Sequence, residues 1–253
     1  MRTHEEAVHP HIQDRGVAVP GRACTPSKTL HFLSSALVTC ISAGLLGFAM
    51  STAWATKSMV CARYGNDVFN GTASVTLEIF GGRLQRDLCP LFGAPVDFQV
   101  FPKLMETQGV PLALHTVTLV LLVLCLLCSA LSILISLYNS VSNPYETYMG
   151  PIGVYTCSAL SACLSVVVLV IFVVYFSMTP VAEDLVRSFS ENVPVELKIT
   201  SFQMELGYYL LIPYAALSLL AIGLIYMYDR AAYTQRREQQ RPTEDAPKEI
   251  MMY

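Results

Sequence analysis

Residues 138–155 read YNSVSNPYETYMGPIGVY, a short polar stretch between two long apolar runs. The run before it covers residues 112–137 and the run after it covers residues 152–178, and neither contains Asp, Glu, Lys or Arg. Each run exceeds the roughly 20 apolar residues that an α-helix needs to cross a bilayer. We therefore predict two membrane-spanning helices, joined by a polar hinge at residues 138–151 on one side of the membrane.

Two further apolar runs, residues 30–52 and 208–228, predict a first and a fourth span. Charged residues make up only 14% of the chain, against about 25% in soluble domains, and they fall in the loops and tails. The predicted fold is an all-α membrane protein, a four-helix transmembrane bundle. It has a large first extracellular loop at residues 53–111 and a smaller second loop at residues 179–207.

The first apolar run ends at Ala53-Trp54-Ala55, which resembles the A-x-A site of a cleaved signal peptide. The apolar region of a signal peptide is usually only about 7–15 residues long, and the polar segment before this run is unusually long. We therefore favour a retained first span, with Trp54 at the membrane interface, where indole rings are favoured. The small residues of this span predict packing against the other spans, with a dimer interface as the alternative.

The first loop contains the only Asn-x-Ser/Thr sequon of the chain, Asn70-Gly71-Thr72, which predicts N-glycosylation of Asn70. Cys61 and Cys89 lie in the same loop, and in an oxidising compartment we expect a disulfide between them. Two free thiols and an intermolecular bridge are the alternatives.

Weaker patterns predict local structure in both loops. Residues 75–80, VTLEIF, alternate loosely between apolar and polar side chains and predict a strand, with a turn at Gly81-Gly82. Residues 181–189 have the spacing of a short amphipathic helix. His115 is placed near the outer end of the second span, where we expect a solvated histidine rather than a pH-sensitive or ligand-binding group.

The distribution of charge predicts the orientation of the spans. The tails, residues 1–29 and 229–253, contain nine Lys and Arg residues, the two large loops contain seven and the hinge contains none. Together with the sequon and the paired cysteines of the first loop, this bias favours cytoplasmic tails and a cytoplasmic hinge. We expect a multi-pass protein of the plasma membrane.

Motifs for catalysis are absent from the sequence. It contains no G-x-S-x-G, no H-E-x-x-H and no phosphate-binding glycine loop. Its predicted spans lack the charged residues that pumps and transporters usually need. We predict no enzymatic activity, no cofactor, no metal site and, because no segment is strongly basic, no nucleic-acid partner. For His4, His9 and His11 we favour a disordered tail over a metal site, since nothing rigid holds them.

The hinge resembles a known family. Residues 138–147, YNSVSNPYET, and residues 150–156, GPIGVYT, resemble the segment between the second and third spans of the clarins, which are small four-span membrane proteins distantly akin to tetraspanins and claudins. Residues 30–35 and 77–82 also resemble clarin sequences, and residues 236–242 resemble the tail of the third clarin paralogue. The hinge residues that carry the resemblance are Asn143, Pro144, Tyr145, Gly150, Pro151, Gly153 and Tyr155. We interpret their prolines and glycines as residues of a compact turn that reverses the chain between two helices, and we favour this interpretation over a partner-binding motif.

The resemblance implies a non-enzymatic protein that organises membrane and protein assemblies, with a family link to sensory hair cells and hearing. The expected partners are the lipid bilayer, membrane or cytosolic scaffold proteins and, in a homo-oligomer, further copies of the chain. The last residues, Met251-Met252-Tyr253, have an apolar-x-apolar pattern that fits a PDZ groove. The alternative is a terminus that binds no partner. A claudin-like adhesion or pore component and an auxiliary channel subunit are the alternative functions.

Overall fold

The computed structural model describes residues 26–63, 70–89, 93–107, 109–141, 150–189 and 195–239. The helices are α1 (Pro26–Met50), α2 (Val100–Thr107), α3 (Val110–Val141), α4 (Pro151–Met178), α5 (Val181–Ser188), α6 (Leu206–Tyr209) and α7 (Leu211–Gln239). The strands are β1 (Ala53–Arg63), β2 (Gly71–Glu78), β3 (Gly81–Asp87), β4 (Gly93–Gln99) and β5 (Val195–Met204).

Four of these helices are long and apolar enough to cross a membrane, which confirms the predicted bundle. They are α1 from Thr29, α3, α4 and the combined segment Leu206–Thr234, which contains α6 and most of α7. Helix α1 packs against α3 and α7, and α4 packs against the same two helices. The helices therefore form a ring in which α1 and α4 lie diagonally opposite.

Helix α1 begins at Pro26, before its predicted start, and two other helices end after their predicted limits. Helix α3 continues to Val141, into the predicted hinge, and α7 continues to Gln239, into the predicted tail. Neither extension contains glycine or proline, and Ala, Arg, Gln and Glu in residues 229–239 are good helix formers. Helix formation therefore continues past the apolar segment in both cases.

The fourth span is interrupted near its start, between α6 and α7. Proline lacks a backbone N–H and its ring clashes with the carbonyl four residues earlier. For Pro213 that carbonyl belongs to Tyr209, the last residue of α6, and Leu210 separates the two helices. Tyr214 resumes the helical pattern with an N–H that donates to the Leu210 carbonyl at 3.3 Å.

The two loops form a five-stranded antiparallel sheet at one end of the bundle, in the order β4-β3-β2-β1-β5. The sequence patterns predicted only one of these strands, residues 75–80, of which residues 75–78 belong to β2. Strand β5 comes from the second loop and pairs with β1 of the first loop, from Ala55 opposite Met204 to Arg63 opposite Val195. The two loops therefore build one common structure on the spans.

The predicted turn at Gly81-Gly82 is wrong, because both residues belong to β3 and the turn lies at Ile79 and Phe80. Gly82 has a different role. It pairs with Phe98 of β4, and a Cβ atom at Gly82 would lie 2.4 Å from the tip of the Phe98 ring. The glycine makes room for an aromatic ring that covers it from the neighbouring strand. The predicted amphipathic helix in the second loop is present as α5.

Hydroxyl groups fill the middle of the bundle. The Tyr214 hydroxyl of α7 lies 3.0 Å from the Ser129 hydroxyl of α3 and 2.7 Å from the Ser161 hydroxyl of α4. It also donates to the Cys125 carbonyl at 3.2 Å. Ser218 lies 3.3 Å from Ser161 and extends the network. In lipid such interhelical bonds stabilise the bundle, because unpaired polar groups find no water there.

The opposite end of the bundle gathers the start of α1, the end of α3, the start of α4 and the later part of α7. One buried cluster at this end contains side chains from all four spans. Its members are Phe32 near the start of α1, Ile135 near the end of α3, Val154 near the start of α4, and Ile225 and Tyr228 of α7. We call this end, where α3 ends and α4 begins, the hinge end. The sheet lies at the other end, the sheet end.

Candidate functional site

The sheet and the bundle share one continuous buried core, and we call this contact the sheet–bundle junction. Alternate residues of β1 and β2 are buried on the inner face of the sheet, as the two-residue period of a strand requires. Those residues are Lys57, Met59, Cys61, Ala73, Val75 and Leu77. The apolar ones share one continuous core with side chains of α1, α3, α4 and α7.

Trp54 connects four elements at this junction. Its indole N–H donates to the Ala49 carbonyl of α1 at 2.7 Å, and its ring packs edge-on against Phe172 of α4, with the centroids 4.9 Å apart. Its own carbonyl accepts a bond from the N–H of Glu205, just before α6, at 2.9 Å. Trp54 does lie at the end of the first span, as predicted. Its indole, however, is fully buried in protein and does not face the lipid interface.

Gly207 is the residue that gives the indole its space. A Cβ atom at Gly207 would lie 2.5 Å from Cδ1 of Trp54 and 2.8 Å from the Ala53 carbonyl oxygen. Because one of these neighbours is backbone, a side-chain rotation alone cannot relieve the overlap. The start of the fourth span therefore approaches β1 closely only because this position is glycine.

We predict that Gly207→Ala destabilises the protein by about 1–3 kcal/mol, the usual cost of overpacking a core. Gly223→Ala on α7 is the matched control, because nothing lies within 4 Å of its added Cβ atom. Thermal unfolding of the purified protein in detergent, monitored by tryptophan fluorescence, reports directly on Trp54, the one tryptophan of the chain. Equal midpoints for the two variants would show that the indole is not held as described.

A buried ion pair joins the two loops. The Lys57 ammonium of β1 lies 3.2 Å from a carboxylate oxygen of Glu183 on α5, and the two side chains are only 4% and 14% exposed. The ammonium also lies 5.9 Å from the centre of the Phe176 ring of α4. A charge removed from water is tolerated only beside a partner. Strand β1, helix α5 and the end of α4 are therefore held in one arrangement.

Removing one charge of this pair leaves the other buried without compensation. We expect Glu183→Gln to lower the free energy of unfolding by about 2–4 kcal/mol. The double variant Lys57→Met/Glu183→Leu recovers most of the loss, because apolar pairs often replace buried ion pairs without cost.

The control for this substitution is Glu106→Gln. Glu106 pairs with Lys103 at 2.6 Å, but its side chain is 66% exposed, so we expect almost no change. Chemical denaturation in detergent compares the variants. A Glu183→Gln protein as stable as the control would contradict the role given to the pair.

His115 is not the solvated residue that the sequence suggested. It is buried, and its Nε2–H donates to the carbonyl of Ile79, in the turn between β2 and β3, at 3.0 Å. Its ring lies 5.7 Å from that of Tyr175 on α4. The side chain therefore fastens a hairpin of the sheet to α3. Its partner lies 36 positions away in the sequence, so no local pattern could have indicated the contact.

Cys61 and Cys89 form a disulfide in the structure. Cys61 lies on β1, and Cys89 follows β3 after Leu88, which has a φ of 54°. Strand β2 runs between them, and its Gly71 pairs with Cys61. A Cβ atom at Gly71 would lie 2.1 Å from the Leu88 carbonyl oxygen. The glycine inside the sequon therefore lets the chain around Cys89 pass over the end of β2.

The remaining predicted residues lie far apart. Asn70 is exposed at the start of β2, at the sheet end. At the hinge end, Gly150 precedes α4, Pro151 begins it, and a Cβ atom at Gly153 would lie 3.1 Å from the Ile135 side chain of α3. Tyr155 is half-buried beside the cluster of that end.

Some of the predicted residues lie outside the described residues. They are Asn143, Pro144, Tyr145, His4, His9, His11 and residues 251–253.

Electrostatic effects outside the spans are modest. On the sheet, the hydrogen bond from Arg83 at 2.7 Å lowers the pKa of Asp97, and the same contact raises the pKa of Arg83. Burial raises the pKa of Asp184 on α5, and the nearby positive charge of Arg187 opposes this change. In the described ranges, no three His, Cys, Asp or Glu side chains are grouped to hold a metal ion.

The fold and the junction together define a class, a four-span membrane protein whose two loops build one sheet on the sheet end of the bundle. A family model described as Clarin-2-like matches residues 27–226. Clarin-3 of Homo sapiens is 30% identical over 231 residues, which cover 90% of this chain and 99% of that protein. Clarin-3 of Rattus norvegicus is 31% identical over the same shares. Clarin-1 of Homo sapiens is 26% identical over 132 residues, 49% of this chain and 56% of that protein.

The chain belongs to the clarin family. The resemblance seen first in the hinge is thereby confirmed.

Proposed function

We propose that this protein is a non-enzymatic organiser of membrane assemblies, which works by lateral packing against other membrane proteins. The observation that carries the proposal is the division of polar and apolar side chains in the bundle. The interior hydroxyls of Ser129, Ser161 and Tyr214 bond to one another, and large apolar side chains cover the outside of the spans. The interior is therefore occupied by packing and hydrogen bonding, and the outer surface is available to lipid and to other helices.

Helix α1 offers the most suitable surface for close lateral packing. Its small residues fall into two groups: Ser35, Ser42 and Ala49 are buried within the bundle, whereas Gly44 and Gly47 are exposed. Nothing lies within 4 Å of a Cβ atom added at either glycine. Exposed glycines in a membrane helix allow the backbone of a second helix to approach closely.

We expect the double variant Gly44→Leu/Gly47→Leu to lose lateral association while the bundle itself stays intact. The added side chains point away from the bundle and prevent close approach of another helix. Association is measured by proximity labelling and crosslinking of the full-length protein in sensory or epithelial cells, with cell-surface amount and thermal midpoint as checks of folding. Gly223→Leu on α7 is the matched control, since it also adds leucine to open space. An unchanged labelling pattern in the double variant would remove the central support for the proposal.

The proposed orientation places the sheet outside the cell and both tails and the hinge in the cytoplasm, at the plasma membrane. Asn70 and Thr72 are both exposed, so the sequon is accessible to glycosylation. In that modification the Asn70 amide nitrogen displaces the diphosphate leaving group from the anomeric carbon of a lipid-linked sugar and loses a proton. The oxidising side of the membrane also favours the Cys61–Cys89 disulfide.

We predict that Asn70→Gln abolishes a glycosidase-sensitive mass of the protein expressed in mammalian cells. Gln85→Asn, which creates no sequon, serves as the matched control with a similar amide change on the neighbouring strand. The mass is compared before and after peptide N-glycosidase treatment of the denatured protein. A wild-type protein without a glycosidase-sensitive mass would leave the outside position of the sheet unsupported.

The tails supply the cytoplasmic half of the proposed function. Helix α7 continues to Gln239 and carries arginines that suit anionic lipid or an acidic scaffold. The carboxyl terminus fits strand addition to a PDZ groove. From the family resemblance, we place the assemblies in actin-rich sensory membranes such as those of hair cells.

Adhesion in a claudin-like manner is the second candidate, favoured by one observation. Strand β5 is an edge of the sheet, ten residues long, without proline and with Ile199 and Phe202 exposed. Long unprotected edges can pair with a strand of another molecule. Ile199→Lys separates the two functions, because it blocks edge pairing between cells but leaves the lipid-facing glycines of α1 untouched. Loss of cell–cell adhesion in this variant, with lateral association retained, would support adhesion.

A further inference from the structure

The outer face of the sheet, which points away from the bundle, contains a depression lined by polar side chains and by apolar groups of Met59, Val60 and Ala73. Side chains of β1, β2 and β3 alternate between the two faces, and those on the outer face are mostly hydroxyl, amide or charged groups. The depression has a volume of about 390 Å³ and is open to solvent. Its polar lining residues are Ser58, Thr72, Ser74, Gln85, Asp87 and Thr200.

Asn70 is exposed and lies two residues before Thr72, which lines this depression. Side chains two positions apart in a strand point to the same face, so Thr72 and Ser74 follow one another along the outer face of β2, while Gly71 and Ala73 are buried beneath. Asn70 immediately precedes this strand. Thr72 pairs with Asp87, and Ser74 pairs with Gln85. Ser74 is roughly 13 Å along the strand from Asn70, a distance that two or three sugars cover.

We propose that the depression binds the first sugars of the chain's own N-linked glycan on Asn70. This inference rests on the proposed function, which places the sheet outside the cell and a glycan on Asn70. The hydroxyls of Ser74 and Thr200 can donate to and accept from sugar hydroxyls. The Gln85 amide suits the acetamide group of N-acetylglucosamine, and the Asp87 carboxylate accepts hydrogen bonds.

Because the glycan is covalently attached to the protein, a site for it needs no high intrinsic affinity for free sugars. The covalent link to Asn70 keeps the sugars at a high effective concentration above the depression, so weak hydrogen bonds suffice to dock them. Among the residues that the structure describes, the lining has no aromatic ring on which a free saccharide would stack, and its one carboxylate supplies few of the six to eight oxygen ligands that a calcium ion takes. The chemistry of the lining therefore favours the tethered sugar over either soluble ligand.

The test uses the full-length glycoprotein, purified in detergent, and measures the rate at which peptide N-glycosidase removes the glycan from the native protein. A docked glycan holds the Asn70 linkage against the sheet and slows cleavage. We expect the variant Ser74→Ala/Gln85→Ala to be cleaved about fivefold faster than wild type, because it removes two hydrogen-bonding groups from the floor of the depression. Thr72 stays unchanged, since it belongs to the sequon.

The matched control is Thr56→Ala/Thr76→Ala. These residues pair with each other on the same outer face, with their hydroxyls 3.2 Å apart, and they do not line the depression. We expect this control to be cleaved at the wild-type rate. Hydrogen exchange of β2 and β3, measured with and without the glycan, gives a second readout, and removing the glycan should raise exchange at Ser74 and Gln85.

The outcomes separate this inference from the proposed function. A protein without any glycan on Asn70, even after denaturation, removes both the inference and the support for an outside sheet. A glycan that is cleaved equally fast in the native wild type, the variant and the control overturns the inference alone. Slow cleavage in all three also overturns it, because the protection then has another source.

Discussion

The contact between Trp54 and the bundle is the constraint on which the rest of the structure depends. Only two residues separate the end of α1 from the start of β1, so the first span sets the position of β1. The indole bond to Ala49 and the packing on Phe172 fix that position. Strand β1 then serves as the template for β2 on one side and β5 on the other. Through β1, a single indole determines where both loops lie on the membrane-spanning helices.

The spans could be predicted from the sequence because lipid imposes one simple requirement, an uninterrupted apolar helix with all backbone groups bonded internally. The sheet could not, for reasons visible in its strands. In β1 the inner-face alternation is broken by Lys57, whose charge is acceptable only because Glu183, 126 positions away, lies beside it. In β5 the apolar residues Val195, Leu197 and Ile199 alternate with polar ones over only five positions, because the bulge at Thr200 shifts the period to Phe202 and Met204. Helix α5, by contrast, has apolar residues at helical spacing and was predicted correctly.

The same distinction applies to the candidate site. Sequence motif and loop position indicated Cys61, Cys89 and Asn70, because a sequon and a pair of cysteines in one loop can be recognised without knowledge of the fold. The roles of Trp54, His115 and Gly82 depend on residues that only the fold brings near. An indole at the end of a span is usually interfacial, a histidine there is usually solvated, and glycine pairs usually mark turns. Each of these residues instead contacts a residue that is distant in the sequence. Trp54 packs on Phe172, His115 bonds to Ile79, and Gly82 pairs with Phe98.

The continuous helix at the end of the fourth span has a geometric consequence. From Asp229, the first charged residue after the apolar segment, α7 continues for a further ten residues to Gln239, a length of about 15 Å. It acts as a rigid spacer. Gln239, where the described helix ends, is therefore displaced by several helical turns from the apolar part of the span, and a protein that binds the arginines of these turns need not contact the apolar part.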